Sequence, residues 1–241
     1  MNSQVNRRAL ITGASSGIGR ATALAFAQAG FDLALVSRSQ AALEQVAQEA
    51  ASFSVDVQIF PLDLSCVEEV CSKFQAIADR VGAIDVLINN AGIGYTGNLQ
   101  DISLDDWQHV LNLNLTSVFQ CIQGILPSMR DRHQGTIINI TSIAAHQAFP
   151  GWGAYNVSKA GVVALSKTLA AEERANGIRV VMICPGAVNT PIWDTDTVDA
   201  DFDRSGMLTP DSVAQSILHA ALLPSQAVVE ELTVMPSAGA L

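Results

Sequence analysis

Basic side chains are scarce in this chain of 241 residues: 13 lysines and arginines stand against 23 aspartates and glutamates, a formal net charge of −10. Such a balance excludes a nucleic-acid backbone as the natural partner, since like charge repels. Cysteine is scarce too. Cys66, Cys71, Cys121 and Cys184 form no C-x-x-C pair, and no histidine follows them at metal-ligand spacing. Neither a disulfide framework nor a metal site is expected, and reduced, packed thiols point to a cytoplasmic setting. No uncharged apolar run reaches membrane-spanning length, which argues against a membrane partner. The polar start Met1-Asn2-Ser3-Gln4 and the short apolar piece after Arg7-Arg8 lack the h-region of a signal peptide. Internal repeats, low-complexity tracts and linkers are missing as well. With 49% hydrophobic and 15% charged residues, the chain is too apolar for disorder and suits a single α/β domain spanning 1–241.

What is present is alternation. Apolar runs over 9–12, 32–37, 55–62, 84–88, 136–140, 179–184 and 232–235 read as strands, and helical stretches separate them. The strands are continuous apolar runs rather than alternating ones. A doubly wound, mostly parallel sheet with helices on both faces, a Rossmann-type fold, is therefore expected. Between the first strand and the first helix lies Gly13-Ala14-Ser15-Ser16-Gly17-Ile18-Gly19. Glycines in that place allow a tight turn and let backbone N–H groups approach a pyrophosphate at the helix N-terminus. The second strand ends in Ser37-Arg38. An acidic residue there would accept from a ribose 2′-OH, whereas an arginine pairs with a 2′-phosphate, which points to NADP(H).

Further along, Asp63-Leu64 closes the third strand, placed either to cap the next helix or to bind adenine. Asn89-Asn90-Ala91-Gly92 closes the fourth; its amides can tie neighbouring strands or hold a ribose, and Gly92 leaves room for a ring. Ser103 opens a long helix to about residue 131, with Asn112 and Asn114 in its middle, where asparagine is a mediocre helix former. Thr141-Ser142 puts a hydroxyl at the carboxyl edge of the sheet. Five aspartates (Asp194, Asp196, Asp199, Asp201 and Asp203) crowd residues 193–203, a solvated loop or a lid. Tyr155 and Lys159 are four apart, so a helix puts them on one face. A phenol ionises near about 10, and a cation within a few ångströms lowers that by roughly 1–3 units. Tyr155 is thus expected to exchange a proton near neutral pH. The helix that carries it is apolar nearly all round, which calls for cover on more than one side and hence a subunit interface.

In this order and spacing the motifs Thr12-Gly13-Ala14-Ser15-Ser16-Gly17-Ile18-Gly19, Asp63-Leu64, Asn89-Asn90-Ala91-Gly92, Asn114, Ser142, Tyr155-x-x-x-Lys159 and Pro185-Gly186 resemble those of the short-chain dehydrogenase/reductases, over essentially the whole chain. The resemblance implies an NADP(H)-dependent oxidoreductase with strand order 3-2-1-4-5-6-7. It implies a catalytic tetrad of Asn114, Ser142, Tyr155 and Lys159, and a cofactor in contact with the glycine turn, Ser37, Arg38, Asp63, Leu64, Asn90, Ala91, Gly92, Pro185, Gly186, Val188 and Thr190. It also implies a lid near 189–208 and a homotetramer or homodimer built on two long helices. The implied substrate is a small carbonyl compound or alcohol. Similar members reduce 3-oxoacyl groups on an acidic acyl carrier protein docked through arginines; here His133 and Asn176 occupy two such positions, with Arg130, Arg132 and Arg174 nearby as substitutes. A non-catalytic NADP(H)-sensing protein on the same fold is the remote alternative.

Overall fold

In a computed structural model, residues 7–200 and 203–239 are described. Residues Met1–Gln4, read above as the start of a chain without a signal peptide, and Asp201 of the acidic segment lie outside them.

Seven strands form one sheet in the order β3-β2-β1-β4-β5-β6-β7. They are β1 (Arg8–Thr12), β2 (Asp32–Ser37), β3 (Val57–Pro61), β4 (Val86–Asn89), β5 (Gly135–Ile140), β6 (Ile178–Pro185) and β7 (Glu231–Val234). Every neighbouring pair is parallel. The helices are α1 (Gly17–Gln28), α2 (Gln40–Ala51), α3 (Val67–Val81), α4 (Leu104–Leu111), α5 (Ser117–Asp131), α6 (Gly153–Glu173) and α7 (Pro210–Leu222).

The apolar strand runs have a simple cause. Successive side chains point to opposite faces, and both faces are covered. Along β1, Ala9 and Ile11 enter one core layer, which includes Phe26 of α1, Leu43 of α2 and Ile217 of α7. Leu10 enters the other, with Phe74 of α3, Ile125 of α5 and Val162 of α6. All of these are essentially inaccessible to solvent.

The long helix expected over 103–131 is divided. Ser103 caps α4, accepting from Asp106 N. A π-helical turn, Asn112–Thr116, then separates α4 from α5. This wider turn is a local cost taken where a side chain serves another segment. Asn114 in that turn accepts from Ile93 N at 2.8 Å and donates to Ile93 O at 2.9 Å. It therefore does not face solvent but clamps the loop after β4.

The second cover expected for α6 is not supplied within one chain. Val157 on α6 and Phe119 on α5 remain 46% and 40% exposed. No helix among the described residues is long and apolar enough to cross a membrane.

Candidate active site

The sheet reverses its winding between β1 and β4, and the two strand ends are tied there. Thr12 Oγ1 accepts from Asn90 N (2.9 Å) and Ala91 N (3.0 Å), while Asn90 Nδ2 donates to Thr12 O (3.0 Å). Asn89 Nδ2 donates to Asn139 Oδ1 on β5 at 2.8 Å. Both asparagine amides tie strands, one of the two roles expected of them, and Asn90 also lines the cleft. Thr12 was legible only as a motif neighbour; its hydroxyl closes the junction.

Above this junction opens a cleft of about 460 Å³. It lies outside the carboxyl ends of the strands at the switch point, where open α/β sheets bind ligands. Gly13 and Gly17 have φ of +65° and +51°, in the left-handed region that glycine tolerates. At Gly19 an added Cβ would stand 2.1 Å from Gly13 O, so only glycine lets α1 seat on the turn. Ser16 caps α1 without a side-chain bond, leaving its hydroxyl and the first amides of the helix open to the cleft. At the far end, Ser37 Oγ is buried with no hydrogen-bond partner, and exposed Arg38 lines the same wall. A glycine cradle, a free helix N-terminus and an orphaned hydroxyl beside a guanidinium fit a phosphorylated dinucleotide.

Asp63 stands in this wall and accepts from Ser65 N (2.9 Å) and Ser65 Oγ (2.8 Å), a turn ahead of α3 rather than its cap. Burial raises its pKa, yet the Ser65 hydrogen bonds and the charge of Arg38 outweigh it, and the net shift is downward. Leu64, Ala91, Pro185, Gly186 and Val188 also line the cleft, as do Ser15 and Ile18. Thr190 packs against Gly17: a Cβ added there would lie 3.2 Å from its side chain.

The tetrad converges at the other end. Ser142 follows β5, and its Oγ accepts from Ala144 N at 3.2 Å, which leaves the hydroxyl proton free to be donated. The Ser142 hydroxyl stands beside the Tyr155 phenol, close enough to favour its ionised form. Lys159 is buried and donates from Nζ to Ile140 O at 3.0 Å. Asn114 Nδ2 also donates to Ser158 Oγ at 3.1 Å, and Ser158 donates to Tyr155 O at 2.7 Å. Ser158 is a link that no motif announced. Space for a Cβ on Gly92 is bounded by Asn114 Oδ1 (3.1 Å) and Lys159 Nζ (3.6 Å), so the glycine makes room for these two polar groups.

One expectation is corrected here. Lys159 does not lower the Tyr155 pKa. Burial pushes the phenol above its ordinary value, the neighbouring Ser142 hydroxyl offsets only part of this, and the nearby Cys184 thiol adds to the rise. The ammonium lies 5.7 Å from the ring centroid and bonds a carbonyl instead. Its own burial lowers it to about 8.

Over the cleft lies the segment rich in aspartate. Trp193 packs edge-on against Trp152 at 5.7 Å, and Trp152 against Tyr155 at 5.5 Å. Thr197 Oγ1 donates to Gly94 O at 2.8 Å, fastening the segment to the loop after β4. Asp194 is paired with Arg204 at 2.6 Å. Of the residues that line the cleft, only Arg38, Asp63 and Lys159 bear charge, and the Tyr155 end is walled by Ile143, Phe149, Trp152, Ile192 and Trp193.

Fold and cleft define a Rossmann-type α/β protein with a hydroxyl pair beside a dinucleotide-shaped groove. Residues 7–200 match the short chain dehydrogenase family, and the chain belongs to it. Its relatives include the sepiapterin reductase of Chlorobaculum tepidum, 37% identical over 95% of this chain and 96% of that one. Another is the 3-oxoacyl-(acyl-carrier-protein) reductase of Thermotoga maritima, 34% identical over 88% and 89%. Among solved structures, an alcohol dehydrogenase from Thermococcus sibiricus complexed with 5-hydroxy-NADP superposes with a TM-score of 0.87 at 32% identity, covering 96% of this chain and 97% of that one. The protein is accordingly an oxidoreductase of the short-chain class.

The Lys159 shift gives a signed stability effect. Below about 8 the lysine is charged in both folded and unfolded chains, and its burial cost is fully present. As pH rises from about 8 towards 10.5, the folded protein gives up this proton while the unfolded chain keeps it, so this group's contribution to stability rises. Urea midpoints at pH 7.5 and 9.5 are expected to rise more, or fall less, in the cofactor-free wild type than in Lys159→Met. Identical slopes would contradict the burial of a titrating amine.

Proposed function

We propose that the protein is an NADPH-dependent carbonyl reductase acting on a free, uncharged ketone or 3-oxo compound. One observation carries this reading: the neighbouring Ser142 and Tyr155 hydroxyls share an aromatic-walled end of the cleft whose only charged group is Lys159, while the other end holds Ser37 and Arg38. The relatives crystallised with NADP or 5-hydroxy-NADP support the choice of cofactor.

The bound nicotinamide supplies the hydride. Arg38 and Ser37 hold the 2′-phosphate end, and the amides at Ser15 to Gly19 receive the pyrophosphate. Tyr155, whose burial raises it above the ordinary phenol value, gives its phenolic proton to the carbonyl oxygen as charge develops there. Ser142 donates a second hydrogen bond to that oxygen, which strengthens in the transition state. Lys159 would hold the ribose, and the proton on Tyr155 is replaced from solvent by way of the Lys159 and Asn114 side chains, which both border Gly92. The described residues of 189–208 act as the lid, with Trp193 closing on Trp152 to exclude water. Copies of the chain pair through the exposed apolar groove between α5 and α6, lined by Phe119, Leu126, Leu165 and Leu169, to form a homodimer or homotetramer.

A carrier-bound substrate is the second reading, favoured by relatives named for that activity. The arginines that would have to dock the acidic carrier are already engaged. Arg130 is bonded to buried Glu173, Arg132 to Asp85 at 3.1 Å, and Arg174 to Glu230 at 3.4 Å. None of them lines the cleft. An ion-paired guanidinium offers little net field to steer an acidic partner. The intact Ser142–Tyr155 pair weighs against a mere NADP(H) sensor.

Tyr155→Phe is expected to abolish nearly all ketone-dependent NADPH consumption while leaving NADPH affinity close to that of the wild type; substantial residual kcat would reassign the acid. Arg38→Ala loses one or more charge-assisted bonds of about 1.5–3 kcal/mol, so NADPH affinity falls roughly ten- to a hundredfold while NADH affinity barely moves. Equal losses for both cofactors would sink that role. At low ionic strength, where steering is least screened, kcat/KM for free ketones or 3-oxo esters should match or exceed that for a carrier-bound 3-oxoacyl chain. A carrier preference that collapses on adding salt would establish the second reading instead.

A further inference from the structure

Cys184 occupies the carboxyl end of β6, His146 ends the 3-10 turn that begins at Ser142, and Glu231 opens β7. Far apart along the chain, they meet in space, their ligand atoms all lying within 4.8 Å of one another. His146 Nε2 is 2.7 Å from Glu231 Oε1. Cys184 Sγ donates to Ser142 O at 3.2 Å. The expectation of no metal site rested on spacing along the chain, which cannot see a triad assembled by parallel strand pairing. None of the three lines the cleft.

We propose that His146, Cys184 and Glu231 form a site for a borderline-soft divalent cation of the zinc type, directly behind Ser142, and that filling it arrests turnover. Imidazole, thiolate and carboxylate are the donors such an ion takes, at about 2.0–2.3 Å, so tetrahedral ligation sets the three atoms roughly 3.4–3.6 Å apart. The histidine–glutamate pair must open by under an ångström from 2.7 Å, and no separation, all being within 4.8 Å, must close by more than about 1.4 Å. One thiolate and one carboxylate neutralise the dication, and the displaced thiol proton leaves to solvent. The histidine and glutamate side chains are 43% and 29% exposed, which gives the ion an entry path and a place for a fourth, water ligand. Cys184 is buried and forms the floor. Turning its sulfur to the metal breaks the bond to Ser142 O, and drawing in His146 pulls on the turn that Ser142 begins. The serine hydroxyl is thereby displaced from its place beside Tyr155.

The test uses the full-length protein carrying Cys66→Ser and Cys71→Ser, which removes the two more accessible thiols. Zinc is titrated against a chromogenic chelator, and cobalt is added separately for its thiolate charge-transfer band. One zinc per chain, a sulfur-to-cobalt band, and loss of both in His146→Ala/Glu231→Gln are expected. The loss of affinity should reach at least the roughly 10–100-fold that follows removal of a group merely supporting a metal ligand. Zinc should lower kcat for ketone reduction with NADPH KM unchanged, reversibly on chelation, while the double variant keeps its basal rate and ignores zinc. Absence of stoichiometric binding, binding untouched by the double variant, or cobalt uptake without the sulfur band would overturn the site. Binding that leaves kcat intact would overturn its link to Ser142.

Discussion

Everything at the site hangs on the junction of β1 and β4. The strand order reverses there, so the crossover helices leave to opposite faces and a crevice opens between them. A crevice is a weak point, because backbone amides at the ends of both strands lose their sheet partners. Thr12 Oγ1 takes two of them at once, and the Asn90 amide returns a bond to Thr12 O. With those ends pinned, the glycine turn keeps its left-handed φ angles and α1 points its N-terminus into the cleft.

Desolvation governs the chemistry at the opposite end. The same burial drives a phenol up and an ammonium down, because each is disfavoured in its charged form. The pair is therefore most at home as neutral tyrosine beside a readily deprotonated lysine, a state suited to giving a proton rather than accepting one. Polar contacts that hold this state come from backbone: Ile140 O for Lys159, Ala144 N for Ser142, and Ile93 for Asn114. The π turn Asn112–Thr116 follows from that last contact, a helix yielding its regular pitch so that one side chain can clamp a loop.

Charge on the rim follows a similar economy of partners. The chain is strongly acidic, yet Arg130, Arg132 and Arg174, at the ends of α5 and α6, are paired with carboxylates instead of standing free. Asp194 in the segment over the cleft is likewise matched by Arg204. What remains around the Tyr155 end of the cleft is mostly aromatic and aliphatic surface, with Lys159 and the two hydroxyls as its polar groups.

Sequence alone determined the class and layering of this fold. Apolar runs too continuous for one-sided sheets pointed to strands covered on both faces, which Ala9, Leu10 and Ile11 realise at the centre of the sheet, while the edge strands β3 and β7 stay partly exposed. Motif order likewise placed Ser37, Arg38, Ser142, Tyr155 and Lys159 around one cleft, since each sits at a strand's carboxyl end or on the helix that follows. Three things needed the tertiary structure. The direction of the Tyr155 shift depends on how much water burial removes and on which atom Lys159 bonds, and spacing of four residues encodes neither. Whether Arg130, Arg132 and Arg174 were free to dock a partner depended on acids 43, 47 and 56 residues away. The meeting of His146, Cys184 and Glu231 arises because parallel pairing of β5, β6 and β7 brings together strand ends that are remote in sequence. Local pattern sets what each segment becomes, but electrostatics depends on distances through space, and those exist only once the sheet has closed.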